Sequence, residues 1–411
     1  MEKKLIYLDN AATTPIHPEV IDAMIPFLST HFGNPSSQYS LGRNTRSAIE
    51  GARKRIAKIL NCSPAELFFT SGGTESNNTA IKGAVRDLGV KRIISSPIEH
   101  HCGLHTFDAL EKEGVEIVYL TIDNQGKIDY NELTRLLSDL EKKTLVSLMH
   151  ANNEIGVLLD INRVGKICKQ YSAFFHCDTV PTFGHLPLDL GSIEVDFISA
   201  AAHKFHGPKG IGLLFVRKGI PLKSFMHGGG QERNFRAGTE NVYGIVGLAK
   251  AFELANDNLM EDIKKVSYLK SYFKEKITAS IPDISYNGPT DEHSIYTILN
   301  VSFPNVGEAP LLLFSLDLEG ICVSGGSACS SGANAGSHVL NALNVPSDRV
   351  NIRFSFSKFN TIEELDIVLE KLKTTFLLKI YFGIKFNLGI SVDSLIYFHS
   401  IAFSIFCCHI G

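Results

Sequence analysis

The sequence predicts an α/β protein, with a large domain around a mostly parallel sheet followed by a smaller α+β unit. Three observations carry that expectation. From about residue 45 to residue 217, amphipathic stretches alternate with short apolar runs. Most of those runs are too apolar to have a wet face, as expected for strands covered on both sides by helices. Polar, chemically useful residues sit at their C-terminal ends, where open α/β sheets bind ligands.

Taken in order, residues 47–60, 75–85 and 161–170 read as helices, because apolar residues recur near three- and four-residue spacing. Strands are expected at 67–70, 116–120, 145–150, 174–178, 197–201 and 212–216. A long helical region over 243–281 leads to 295–303, whose alternation opens the smaller unit. The expected division is a large domain over 15–255 and a small one from 1–14 with 256–375, the ligand site lying in the cleft between them. After an amphipathic helix over 362–375, residues 376–411 form an atypical apolar tail. Lys379, Lys385 and Asp393 break its run, so it reads as a non-native or poorly ordered extension and not as a membrane anchor.

Composition narrows the function. Of the 411 residues 44% are hydrophobic and 20% charged, the profile of an ordinary globular protein. Lys and Arg number 40 against 43 Asp and Glu, a net charge of -3 without a basic block, so a small ligand is expected and nucleic acid is not. The 8 cysteines include no Cys-x-x-Cys, which argues against a disulfide scaffold or structural zinc and for a reducing, cytoplasmic setting. The N-terminal apolar stretch is too short for a signal peptide.

Three motifs carry chemistry. Thr70-Ser71-Gly72-Gly73-Thr74-Glu75 follows a strand and opens a helix, where backbone N–H groups and hydroxyls bind an anion such as phosphate; a plain capped turn is the bland alternative. Lys204, in Ala202-His203-Lys204-Phe205-His206-Gly207-Pro208, stands just past a buried strand, where partial desolvation lowers an amine's pKa and suits it to Schiff-base formation. Asp178 ends the apolar run 174–178, and a buried carboxylate there needs a cation. Together these groups match the phosphate, aldehyde and ring nitrogen of pyridoxal 5'-phosphate. The cluster His100-His101-Cys102-x-x-His105 also admits a metal reading, with His101 and His105 on one helix face, but it is set aside because a closed site needs four ligands in consistent geometry and His100 has another role in the resemblance given next.

The chain resembles the cysteine desulfurases. The resemblance is carried by Leu8-Asp9-Asn10-Ala11-Ala12-Thr13-Thr14-Pro15, Asn34-Pro35-Ser36-Ser37, the phosphate loop, Glu99-His100, Asn152-Asn153-Glu154, the Lys204 motif, His227-Gly228-Gly229-Gly230-Gln231, Arg236-Ala237-Gly238-Thr239 and Gly326-Ser327-Ala328-Cys329-Ser330. It implies a fold-type I pyridoxal-phosphate transferase that converts L-cysteine to L-alanine and leaves sulfur on an enzyme cysteine as a persulfide. By that match Lys204 carries the cofactor, His100 stacks on its ring and moves protons, and Asp178 pairs with the ring nitrogen. Gly73, Thr74 and His203 bind phosphate, and Asn153 lies near the ring oxygen and the substrate. Thr239 reaches a neighbouring subunit's cofactor in a homodimer, Arg353 grips the substrate carboxylate, and Cys329 is the nucleophile. The implied partner is a sulfur acceptor or iron–sulfur scaffold protein. Cys62, Cys102, Cys168, Cys177 and Cys322 read as small apolar fillers. Two positions depart from the family pattern. Pro181 stands where a glutamine ordinarily donates to the ring oxygen, and Ala201 where a serine ordinarily binds phosphate. These departures keep open a cofactor-impaired sulfur-transfer scaffold, and a selenocysteine lyase is the enzymatic alternative.

Overall fold

Branched and aromatic residues fill the runs between residues 67 and 216, and the computed structural model pairs them into one covered sheet. It describes residues 5–304, 309–325 and 336–387. The strands in chain order are β1 (Ile6–Tyr7), β2 (Leu67–Thr70), β3 (Arg92–Ser95), β4 (Glu116–Tyr119), β5 (Thr144–Met149), β6 (Phe174–Asp178), β7 (Phe197–Ala201), β8 (Gly212–Val216), β9 (Ser285–Tyr286), β10 (Ile298–Phe303), β11 (Ile321–Cys322) and β12 (Val350–Ser355). The large sheet has the order β2-β8-β7-β6-β5-β3-β4. Only β8 runs antiparallel to its neighbours; the other pairs are parallel. Strands β5, β7 and β8 are buried throughout, whereas the edge strand β4 is half exposed, as its place at the end of the order requires.

Helices cover both faces. The helix Gly73–Leu88 packs on β6, β7 and β8 and stops at Gly89, whose φ of 74° closes it in the left-handed conformation that glycine adopts without cost. The helices Ser40–Ile59 and Val242–Asp257 pack against each other, and Ile49, Ile56, Leu248 and Phe252 join the same core as Phe175 and Phe215 of the sheet. Arg53, 1% exposed, is buried there because its guanidinium makes a two-pronged pair with Glu232 at 2.8 and 2.9 Å and lies over the Phe69 ring.

A second core surrounds the antiparallel sheet β12-β10-β9. Phe354 and Phe356 meet Phe273 of the helix Leu259–Ser280, and Phe376 of the helix Ile362–Asn387 stacks on Phe303 at 4.7 Å. Ile6 and Leu8 belong to this core, and β1 pairs parallel with β11. The chain therefore begins in the second core, crosses to the first, and returns.

The structure departs from the sequence expectations at several points. The helical region 243–281 is two helices, Val242–Asp257 and Leu259–Ser280, divided at Asn258. The final helix continues past residue 375 to Asn387, and Phe376 is core and not tail; residues 388–411 lie outside the described part. Strand β3 and the helices Pro18–Ser29, His101–Lys112 and Tyr130–Leu137 were not expected, being short or marked by weak periodicity. Among the described residues no helix is long and apolar enough to cross a membrane.

Candidate active site

A cavity of about 290 Å³ opens where the C-terminal ends of β5, β6 and β7 face the small sheet. The parallel strands, all pointing one way, deliver their following residues to this edge. Asp178 arrives as the last residue of β6, Lys204 three residues beyond β7, and Asn153 four beyond β5. Gly73 and Thr74 begin the helix that follows β2. All of these line the cavity together with His100, His203 and Arg353. Sequence reasoning placed these residues together, and the structure brings them together. Thr239 is exposed and outside the cavity. Cys329 lies outside the described residues.

The floor is a buried carboxylate. Asp178 Oδ2 accepts from Asn77 Nδ2 at 2.7 Å and Oδ1 from the Val180 N–H at 2.9 Å. Burial pushes its pKa up, while these hydrogen bonds and the nearby His100 and Lys204 oppose the rise. A cationic ring nitrogen in the cavity would turn that unfavourable burial into an ion pair. Lys204 reaches across to the N-terminal segment, where Nζ donates to the Ala11 carbonyl and, at 2.9 Å, to that of Ala12. His185 Nε2 donates to the Lys204 carbonyl at 2.9 Å.

One wall suits an oxyanion. The start of the helix Gly73–Leu88 presents backbone N–H groups, and a Cβ at Gly73 would lie 2.6 Å from Val180 Cγ2, so only glycine permits this approach of helix to strand end. His203 is held neutral, its pKa pulled down to about 4 by burial and by the Lys204 and Lys209 cations. A second opening, lined by Thr13, Thr74, His203 and Lys209, adjoins the same loop. Ala201 and Pro181 sit where the sequence placed them, and neither side chain has a donor.

The opposite wall belongs to the small sheet. Arg353 is 1% exposed; Nη1 donates to the Asn153 carbonyl at 2.9 Å, Nη2 to Asp9 Oδ1 at 2.6 Å, and the buried Nε has no partner among the described residues. An unmatched guanidinium edge in a cavity is a seat for a carboxylate.

Sequence reasoning missed several supporting residues. Glu75 Oε2 accepts the Ser71 N–H at 2.8 Å, holding the phosphate loop, and both its oxygens take Arg236 at 2.9 and 3.1 Å. Its place in the first turn of the helix was the available signal. Glu99 is buried with Ser96 donating to it at 2.7 Å, and burial pushes its carboxyl up to about 8. Cys102 corrects the filler reading: its Sγ lies 3.0 Å from both Asn77 Nδ2 and His100 Nδ1. His101 and His105 share a face of the helix His101–Lys112, ring centroids 5.2 Å apart, and His101 meets His338 at 4.5 Å. His100 turns away to cap the helix His101–Lys112, so the four-residue metal cluster does not assemble among the described residues.

Residues 6–368 match the aminotransferase class-V family. The chain belongs to that family of pyridoxal-phosphate enzymes. Within it the similarity runs to the cysteine desulfurases. The chain is 47% identical to the cysteine desulfurase IscS of Dictyoglomus turgidum, covering 90% of this chain and 94% of that protein. It is 45% identical to the cysteine desulfurase IscS of Methanosarcina thermophila, over 90% of this chain and 91% of that one. Among solved structures, a NifS-like protein superposes with a TM-score of 0.84 at 38% identity, covering 90% of this chain and 99% of the other. The NifS-like protein from Rickettsia africae gives 0.82 at 32% identity, with the same coverage.

Proposed function

We propose that the cavity desulfurates L-cysteine with pyridoxal 5'-phosphate as cofactor, using the residues just described. The chain is a cysteine desulfurase; what is proposed here is which side chains do what. The observation that carries the reading is a single cavity with a buried carboxylate, a lysine and an oxyanion wall at one end and, at the other, an arginine whose Nε has no partner among the described residues. That donor set fits the cofactor at its ring nitrogen, aldehyde and phosphate, and the substrate at its carboxylate. When bound, pyridoxal phosphate supplies an electron sink for the substrate's carbon electrons.

The protein's own groups do the rest. Asp178 keeps the ring nitrogen protonated, at the cost of its own burial. Gly73, Thr74 and His203 hold the phosphate, with Ser71 set by Glu75. Lys204 would hold the cofactor and carry protons on Nζ, and the Ala11 and Ala12 carbonyls give that amine a resting place. His100 lies against the ring. Asn153 and Asp9 fix the Arg353 guanidinium so that its remaining edge grips the substrate carboxylate and sets the C–S bond within reach. Cys329, as thiolate, attacks the substrate sulfur: an S–S bond forms, the C–S bond breaks, and the carbon left behind takes a proton to become alanine. The persulfide then passes to a sulfur acceptor or iron–sulfur scaffold protein.

A homodimer completes the site through Thr239 of the neighbouring copy. Exposed Ile21, Ile25 and Leu28 share one face of the helix Pro18–Ser29, continued by Phe32, and are 45% to 71% exposed, a surface that supports a covered interface. The selenocysteine lyase and scaffold alternatives are not favoured by the relatives' names. A cytoplasmic setting and the division near residue 255 remain part of this reading.

The test is direct. Purified protein given L-cysteine and a reductant is expected to release alanine and sulfide in equal amounts. Cys329→Ser is expected to retain the cofactor's visible absorbance and its response to cysteine while sulfide release stops. Parent-rate desulfuration by that variant would place the nucleophile elsewhere.

A further inference from the structure

His100 is tied from behind. Its Nδ1 accepts the backbone N–H of Cys102 at 3.1 Å, as the cap of the helix His101–Lys112. The Cys102 Sγ lies 3.0 Å from the same nitrogen. Asn77 Nδ2 spends its two hydrogens on Asp178 Oδ2 at 2.7 Å and on Cys102 Sγ at 3.0 Å. Flipping this amide would set its oxygen against the Asp178 carboxylate, so the orientation is fixed. Burial and the Asp178 and Glu99 carboxylates push the thiol up to about 12, so the sulfur keeps its hydrogen. With Sγ accepting from Asn77, the S–H bond is left to point at the His100 Nδ1.

We propose that Cys102 is a positioning residue for His100: together with Asn77 it closes a chain of hydrogen bonds from Asp178 to the imidazole Nδ1, fixing the tautomer protonated on Nε2. His100 then serves the cavity as a hydrogen-bond donor through Nε2, because its basic nitrogen is occupied. The groups acting on this ring agree. Burial, Lys204, His338 and His105 favour the neutral form, and only Asp178 opposes them. The inference rests on the proposed active site for its relevance to catalysis. The tautomer itself is a property of the protein whether or not it turns over cysteine.

The experiment labels the holoenzyme with ¹⁵N-histidine and reads the His100 ring by two-bond ¹⁵N–¹H correlation, assigned with His100→Asn. The parent is expected to show a protonated Nε2 and an unprotonated Nδ1. Cys102→Ala removes a donor to the neutral ring, so the His100 titration is expected to move up by about half to one pH unit. The same variant is expected to lower kcat several-fold with KM for cysteine unchanged. Cys102→Ser, whose hydroxyl donates in place of the thiol, is expected to restore both. An Nδ1-protonated ring in the parent, or one titration shared by all three proteins, overturns the proposal. An Nε2-protonated ring in a protein that does not desulfurate cysteine supports it and overturns the functional reading instead.

Discussion

The two ends of the cavity are built differently. At the cofactor end, each functional side chain stands at or just beyond a strand end of one sheet, and the residues come in contiguous motifs, Ser71, Gly73, Thr74 and Glu75 in one loop and His203 and Lys204 in another, with Asn77 holding Asp178 and the Ala11 and Ala12 carbonyls holding the Lys204 amine. At the substrate end, Arg353 comes from the small sheet, Asn153 from the loop after β5, and Asp9 from the N-terminal segment. That end exists only because β1 docks on β11 and the chain crosses between cores. An end whose motifs come from one sheet tolerates change in the small sheet, whereas an end assembled from residues 9, 153 and 353 reports on how the two units sit together.

Breaking the cofactor end has the largest expected effect. Lys204→Ala is expected to abolish turnover, and borohydride reduction followed by peptide mapping is expected to find the parent's cofactor on Lys204 and on no other lysine. Pro181→Gln sharpens the same end by adding an amide that donates to the ring oxygen. A hydrogen bond to a charged group is worth roughly 1.5–3 kcal/mol, so cofactor affinity or rate should improve by about one to two orders of magnitude. The visible absorbance of the bound cofactor should also titrate at lower pH, since the ring oxygen's anion is better stabilised. Identical titrations and rates in both proteins would mean that another group already fills that role.

A smaller effect belongs to Glu99. Its folded pKa is raised to about 8 from an ordinary carboxyl value of 4.5, mainly by burial. The folded state therefore holds a proton that the unfolded chain has lost. The stability from the neutral carboxyl is complete below pH 4.5 and falls away as pH rises to about 8. Glu99→Gln keeps a neutral side chain, so its Tm should fall less than the parent's between pH 5.5 and 8. Parallel Tm curves would show that Glu99 is ionised in the folded protein.

The same contrast explains what was legible in the sequence. The six large-sheet strands from β4 to β8 and β2 were readable because each carries an apolar run, whereas β3 was lost because Arg92 and Ser95 leave only Ile93 and Ile94 between them. Lys204, Asp178 and the phosphate loop were readable because each motif is contiguous. The pairing of Asp9 with Arg353, 344 positions apart, has no local signature. Neither does the hydrogen-bonding of Cys102, whose sulfur looks like any small apolar filler until Asn77 and His100 are placed beside it. Resemblance to a family located Arg353; only the fold shows what holds it.

The central claim is that the two ends have separable tasks, and one pair of variants measures it. For Arg353→Lys and Asp178→Asn, cofactor affinity is determined by titrating the visible absorbance, and KM for L-cysteine by initial rates. Loss of a bidentate grip worth about 2–3 kcal/mol should raise KM in Arg353→Lys by roughly 30- to 150-fold while the cofactor Kd stays at the parent value. Asp178→Asn should weaken the cofactor and depress kcat while leaving KM near the parent's. If each variant instead moved cofactor affinity and KM together, the cavity would be one undivided site and the assignment of its two ends would be wrong.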